Sequence, residues 1–304
     1  MDFVIGGMAA CGASVFSNPL DVLKTRMQLQ GELKARGKHA LVYRNVFHAA
    51  YVVAKNEGLG GLQKGLGVAM FLHGSRNSIR LGTYQYLNRR GFLTDANGKV
   101  VFHKCALGSA FSGGLGAFCA SPLFLIKTQI QSQAAEGIAV GHQHSHRNAV
   151  AAIGAIYSRD GIKGLWRGAN ATVLRALVGS SVQLTSFAMF KDSLRELQIF
   201  QANPLLTSLV SSLVSGAFQT IAMNPFDVVS TRLYNQGVNS QGKGLLYDGL
   251  LDCFFKIWQT EGVYGFYKGT IANYMRLGPH SVVILVLWDV LKDLQNRYLD
   301  AQDI

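Results

Sequence analysis

The sequence predicts an all-α membrane protein with six transmembrane helices, arranged as three tandem repeats of pseudo-threefold symmetry with a short extra helix in each. Three observations point there. First, Pro19-Leu20-Asp21-Val22-Leu23-Lys24-Thr25 recurs as Pro122-Leu123-Phe124-Leu125-Ile126-Lys127-Thr128 and as Pro225-Phe226-Asp227-Val228-Val229-Ser230-Thr231, at an interval of 103 residues each time. A fixed interval of that kind marks a repeated structure. Second, the chain carries no charge from Phe3 to Leu20, from Cys105 to Ile126 or from Gln201 to Phe226, and about 20 apolar residues cross a bilayer as helix. Third, only 15% of the 304 residues are charged and 49% are apolar, against about 25% charged in an average soluble domain. Buried core helices of a soluble fold would also give apolar runs, but would not end each run in the same proline motif. The units are 1–100, 101–200 and 201–304, within one structural domain.

Each repeat begins with a long apolar helix, the first from Phe3 to about Gln30. Proline near its end removes a backbone donor and bends the helix. A basic loop follows (Lys34, Arg36, Lys38, His39), then a short amphipathic helix over roughly Asn45 to Asn56, then a second span from about Gly65 to Arg90. The short helix is closed by glycines: Glu57-Gly58 with Lys64-Gly65, Asp160-Gly161 with Arg167-Gly168, and Glu261-Gly262 with Lys268-Gly269. Glycine suits such a turn because positive φ costs it nothing. Trp166-Arg167-Gly168 and Tyr267-Lys268-Gly269 set an aromatic beside a cation and an open amide, a seat for an anionic lipid headgroup. The first repeat has Gln63 at the aromatic place, where a plain helix cap is an equal reading. The odd spans hold small-residue clusters (Gly6-Gly7, Gly113-Gly114, Gly216-Ala217) that permit close helix packing. The even spans are interrupted by Arg76 and Arg80, by Arg175 and by Arg276, and charges inside spans face a cavity.

The net charge of +12 admits nucleic acid, anionic lipid or an anionic small molecule. Nucleic acid is excluded by the lack of any binding motif and by the placement of the basic residues between apolar spans. Cys11, Cys105, Cys119 and Cys253 show no paired or metal-binding spacing. His142, His144 and His146 alternate in a loop without an accompanying acid or cysteine, which favours solvation over a metal site. No nucleophile–base set appears in the spans, so neither an enzyme nor a cofactor is expected. The N-terminus has no basic region before its first apolar run, so a cleaved leader is not expected and any address is internal.

These repeats, with the Pro-x-Asp-x-x-Lys motif after each odd span and the acid-Gly and basic-Gly pairs after each short helix, resemble the mitochondrial carrier (solute carrier 25) family over the whole chain. Thr25-Arg26-Met27-Gln28-Leu29-Gln30-Gly31-Glu32-Leu33, Thr231-Arg232-Leu233-Tyr234-Asn235-Gln236 and Arg276-Leu277-Gly278-Pro279-His280 resemble its oxaloacetate-carrier-like branch, members 34 and 35. The resemblance implies a multi-pass monomer of the mitochondrial inner membrane, with a short matrix helix in each repeat and cardiolipin at Gly58, Gly65, Trp166, Gly168, Tyr267 and Gly269. It implies a matrix gate in which Asp21 pairs with Lys127, Asp227 with Lys24, and uncharged Phe124 with uncharged Ser230. That joint loss of charge is physically consistent, since removing one partner of a buried ion pair costs about 3–5 kcal/mol. Gln28 and Gln131 match brace positions beneath the gate, with Tyr234 in the third place. A cytoplasmic gate would involve Lys191, Asp289, Lys292 and the uncharged Gln85.

Seven residues beyond Gly168 and Gly269 stand Arg175 and Arg276, with Leu72 equivalent in the first repeat; these are the family's substrate-contact positions. Arg76 and Arg80 lie one and two turns beyond Leu72. Guanidinium groups bind carboxylates bidentately and stay charged, so two of them fit a small dicarboxylate or related dianion, such as oxaloacetate, malate, malonate or sulfate. Alternating access by exchange is the reading that follows. A proton leak, or another anion such as phosphate, is the alternative, and His73 and His280 are groups that could titrate near neutral pH.

Overall fold

The computed structural model describes residues 2–35, 41–93, 101–196, 201, 203–239 and 242–300. It is helical throughout, with one isolated β-bridge, Val238 to Gly244, and no strand among the described residues. In chain order the helices are α1 (Asp2–Leu29), α2 (Val46–Leu62), α3 (Leu66–Arg89), α4 (Phe102–Cys119), α5 (Ser121–Ser132), α6 (Ala149–Leu165), α7 (Ala169–Arg195), α8 (Pro204–Asn235), α9 (Leu250–Glu261), α10 (Val263–Phe266) and α11 (Thr270–Asp300). A 3-10 turn, Glu136–Ile138, follows α5. Arg36, Lys38 and His39 of the first loop lie outside the described residues.

The long helices close into a ring: α1 packs on α3, α3 on α4, α4 on α7, α7 on α8, α8 on α11 and α11 back on α1. Ala169–Leu194 and Leu206–Asn235 are long and apolar enough to cross a membrane by themselves, and the bent pair α4 and α5 makes a third span. Arg76 and Arg80 in α3, and Arg276 in α11, lower the apolar content of those helices, which remain long enough at 24 and 31 residues. Burial is inverted relative to a soluble protein. Phe16, Phe71, Leu107, Met189 and Ile271 are exposed, whereas Asn18, Asp21, Lys24, Lys127, Arg175, Asp227 and Arg276 are buried. An apolar exterior over a polar interior is what lipid outside and water within select.

Proline acts differently in the three copies. Pro19 and Pro225 sit inside continuous helices, but at Pro122 the helix breaks at Ala120 and α5 departs from α4 by 60°. The segment before that break holds Gly108, Gly113, Gly114 and Gly116, which resist bending least. The short helices start as their sequence directs: Asn45 and Asn148 accept from the amides of His48 and Ala151, both at 2.8 Å, as N-cap side chains do. They stop at glycines with positive φ, namely Gly58 (69°), Gly161 (65°) and Gly262 (63°).

Gly65, Gly168 and Gly269 begin the even spans at φ of 72°, 79° and 73°. A methyl group on them would sit 3.3, 3.0 and 3.1 Å from Gln131, Tyr234 and Gln28 respectively. These glycines thus bring the start of each even helix against the next odd helix around the ring.

Candidate functional site

Buried charged side chains meet where the odd helices converge, just past their prolines. Asp21, Lys24 and Asp227 are carried by α1 and α8 two to five residues after their prolines, and Phe124 and Lys127 by the short α5. Lys127 Nζ lies 2.8 Å from Asp21 Oδ2, and Lys24 Nζ lies 2.5 Å from Asp227 Oδ2. All four side chains are buried. Phe124 and Ser230, the third combination, go separate ways: Ser230 Oγ donates to the carbonyl of Asp227 at 3.0 Å in its own helix. The Phe124 ring instead lies under two guanidinium groups, that of Arg175 at 5.0 Å and that of Arg76 at 6.0 Å from its centroid.

Arg175 and Arg276 are brought to the same place from α7 and α11. Each is turned onto a carboxylate: Arg175 Nη1 lies 3.4 Å from Asp227 Oδ1, and Arg276 Nε lies 3.2 Å from Asp21 Oδ1. Repeat spacing does not reveal these contacts, because the acids and the arginines that meet them are in different repeats. Each carboxylate therefore has two cations, a lysine from one neighbouring repeat and an arginine from the other. His73 of α3 adds its Nε2 at 3.8 Å from Asp21. These groups, with Arg76, Phe124 and Tyr234, line a space of about 40 Å³, enough for water. Leu72 is fully buried and is not among the lining residues. Arg80 lies two turns out with its Cβ beside Gly116 of α4, so neither joins the cluster that Arg175 and Arg276 form.

Below the ion pairs Gln28 and Gln131, matched as braces by family resemblance, make different contacts. Gln28 Nε2 donates to Asp227 Oδ2 at 3.0 Å while its carbonyl accepts from Thr231 at 2.8 Å, so it supports one pair directly. Gln131 instead donates to Asn18 Oδ1 at 3.0 Å and accepts from Thr25 at 3.2 Å, away from Asp21. The Tyr234 hydroxyl meets Ser121 at 3.0 Å and Thr172 at 2.6 Å, linking α8 to α5 and α7. On the opposite side, Lys191 lies over the Phe187 ring of its own helix at 5.5 Å. The side chains of Asp289 and His280 are outside the described residues; Gln85 is partly buried and Lys292 exposed.

Beneath the braces lies a second charged layer that the residue-by-residue reading did not contain. Arg26 forks onto Glu57 at 2.8 and 2.9 Å, and Lys64 reaches the same carboxylate at 2.7 Å. Arg232 forks onto Glu261 at 2.5 and 2.8 Å, joined by Lys268 at 2.6 Å. In the second repeat Gln129 occupies the arginine's place, and Asp160 is served by Arg159 and Arg167, both at 3.0 Å. Burial alone would raise the Glu57 carboxyl, but the Arg26 and Lys64 bonds hold it down to about 2. Arg26 and Arg232, each seven residues after its proline, with Glu57 and Glu261, each seven residues before a lysine, were the available signal. The consequence for the lipid seats is that Lys64, Arg167 and Lys268 are already bound to acids, and Trp166 Nε1 donates to the Phe118 carbonyl at 3.0 Å. The open space there, about 320 Å³, lies between Trp166, Gly168, Lys243, Tyr247 and Gly249.

The histidine loop is more ordered than a solvated loop. His144 Nε2 is 2.8 Å from the Asn235 carbonyl and His146 Nε2 is 3.0 Å from Gln129 Oε1. Burial pushes His144 down to about 4. Among the described residues no cluster suited to a metal ion occurs.

Comparison with known proteins finds relatives over the whole length of the chain. The family profile described as "Mitochondrial carrier protein" matches residues 1–93, 98–198 and 201–299. Solute carrier family 25 member 35 of Mus musculus is 47% identical over 298 residues, covering 98% of this chain and 99% of that protein. The mitochondrial oxaloacetate transport protein of Saccharomyces cerevisiae is 40% identical over 292 residues (94% and 87%), and the mitochondrial citrate transporter E of Aspergillus niger 38% over 305 residues (98% and 95%). With three repeats matched end to end and a ring of six spans around a buried charged centre, the chain belongs to the mitochondrial carrier family, whose members are multi-pass transporters of the inner membrane and not enzymes.

Proposed function

We propose that this carrier exchanges small dicarboxylates or related dianions, of the oxaloacetate, malate, malonate or sulfate type, by alternating access. The observation that carries the reading is the convergence of Arg175 and Arg276 on one buried space, each 3.2–3.4 Å from a carboxylate that a substrate carboxylate could replace. The relative named for oxaloacetate supports a dicarboxylate, and the one named for citrate, a tricarboxylate, supports a carboxylate anion more broadly. The pairs Asp21–Lys127 and Asp227–Lys24 act as the matrix gate, with Gln28 as its direct brace. A dianion bridging Arg175 and Arg276 takes over as their acceptor, so binding draws on the groups that hold the gate shut. That coupling is what a cycle requires, since a ligand shifts a two-state equilibrium only through contacts that differ between the states.

Lys191 with Asp289, flanked by Lys292 and Gln85, forms the opposing cytoplasmic gate. Anionic lipid, cardiolipin by family resemblance, occupies the space at Trp166 and Gly168, with Gly58, Gly65, Tyr267 and Gly269 as the matching positions. The protein works as a monomer.

A thermal-shift series on the purified carrier tests the substrate class. Dicarboxylates or sulfate should raise the melting temperature in a concentration-dependent way, because a ligand of the native state stabilises by mass action. A shift with phosphate alone would redirect the assignment. Proton flux into liposomes that is equal with and without a counter-substrate would replace exchange by leak.

A further inference from the structure

Phe124 stands at the place where the other two repeats hold Asp21 and Asp227. The three places are used alike in space. Asp21 of the first repeat receives Arg276 of the third, Asp227 of the third receives Arg175 of the second, and Phe124 of the second receives Arg76 of the first. Arg175 also touches both kinds of acceptor, with Asp227 at 3.4 Å and the Phe124 ring at 5.0 Å. An aromatic face attracts a guanidinium through its quadrupole but leaves the charge in place, whereas a carboxylate neutralises it.

The lining side chains accordingly comprise Lys24, Arg76, Lys127, Arg175 and Arg276 against only Asp21 and Asp227. Among the described contacts, Arg76 Nε is buried without a hydrogen-bond acceptor, and Arg276 Nε, though 3.2 Å from Asp21 Oδ1, is not aligned to donate to it. Donors in that state are costly unless something arrives to accept from them.

We propose that Phe124 is a positioning and selectivity residue, an aromatic platform that aims Arg175 and Arg76 into the substrate space while preserving the cationic excess that selects dianions over monoanions. The proposal rests on the dianion reading above and assigns to Phe124 a part beyond that of a neutral gate contact.

The test uses full-length carrier in liposomes loaded with malonate. Uptake of labelled malonate is competed by unlabelled malonate and by its singly charged monoamide. Phe124→Leu, which removes the ring face but keeps an apolar side chain, should raise the KM for malonate about five- to tenfold, more than it lowers the maximal rate. Phe124→Tyr should restore KM to within about twofold of the starting protein. Phe124→Asp supplies the residue that the other two repeats carry at this place. It should weaken malonate binding and narrow the preference for malonate over the monoamide.

A wild-type KM in Phe124→Leu, a Phe124→Tyr protein as weak as Phe124→Leu, or an undiminished preference in Phe124→Asp would each overturn the proposal. Should Phe124→Leu not be recovered folded, Phe124→Asp and Phe124→Tyr decide the matter. Failure of the unaltered protein to exchange malonate, malate or sulfate would instead refute the dianion reading itself.

Discussion

Asp21 shows how one residue serves two tasks, holding Lys127 at 2.8 Å and Arg276 at 3.2 Å. The first contact was legible in the sequence through the motif's register; the second was not, because Arg276 lies in a distant repeat and its direction depends on how α11 packs on α1. A charge swap is therefore asymmetric. Asp21→Lys with Lys127→Asp should regain only part of the exchange that each single change abolishes, since the new lysine faces Arg276; full recovery in liposome uptake would contradict the Arg276 contact. Arg26 gives the stability counterpart. Removing it strands Glu57, whose side chain is 6% exposed, although Lys64 remains, and Arg26→Met should cost about 3 kcal/mol. The double change Arg26→Met with Glu57→Met should cost less than the single one when melting temperatures are compared. Acid sensitivity follows with its sign fixed. His144 is held neutral by burial, so its contribution is complete above its ordinary value near 6.5 and declines as pH falls toward about 4. The Glu57 contribution is complete above about 4.5 and is lost as pH falls toward about 2. A melting temperature that rises on acidification from pH 6.5 to 4.5 would contradict the His144 contribution, and one that rises below pH 4.5 the Glu57 contribution.

At the scale of elements, the glycine pairs around each short helix and the proline motifs were readable because their chemistry is local and repeats at fixed intervals. What escaped was that the basic residue of each pair is held by the acid seven residues before it in its own repeat. Lys64, Arg167 and Lys268 resembled free headgroup ligands until their acids were placed against them by the tight turns at Gly58, Gly161 and Gly262. The glycines that begin the even spans give a graded prediction. Gly65→Ala carries the left-handed penalty, about 1–2 kcal/mol, and brings its methyl to 3.3 Å from the flexible Gln131 side chain. Gly168→Ala carries the same penalty and brings its methyl to 3.0 Å from the Tyr234 ring, which disturbs the hydroxyl bonds to Ser121 and Thr172. Gly168→Ala should therefore lower the melting temperature more than Gly65→Ala. Equal effects would mean that the contact with α8 is slack. The 60° break at Ala120, by contrast, had no distinct signal, since Pro122 looks like its two counterparts.

The whole molecule is a ring of helices held by two ion pairs where threefold symmetry would provide three. The third position is filled by Phe124 beneath Arg175 and Arg76, and the adjacent α5–α8 contact is tied lower down by Tyr234 to Ser121 and by Gln129 Nε2 to the Tyr234 carbonyl at 3.1 Å. The fold was legible from repeat and hydropathy alone. The charged cluster was legible only as far as repeat register carries: Arg175 and Arg276 meet in one buried space, which Leu72 and Arg80 do not line. The central claim is that those two arginines hold the transported dianion. Exchange of labelled malate into malate-loaded liposomes measures it directly, using Arg175→Ala and Arg276→Ala proteins whose melting temperatures show them folded. Each substitution should lower exchange roughly ten- to hundredfold, as expected for losing charged hydrogen bonds to a substrate carboxylate. Unchanged exchange in both would contradict the account.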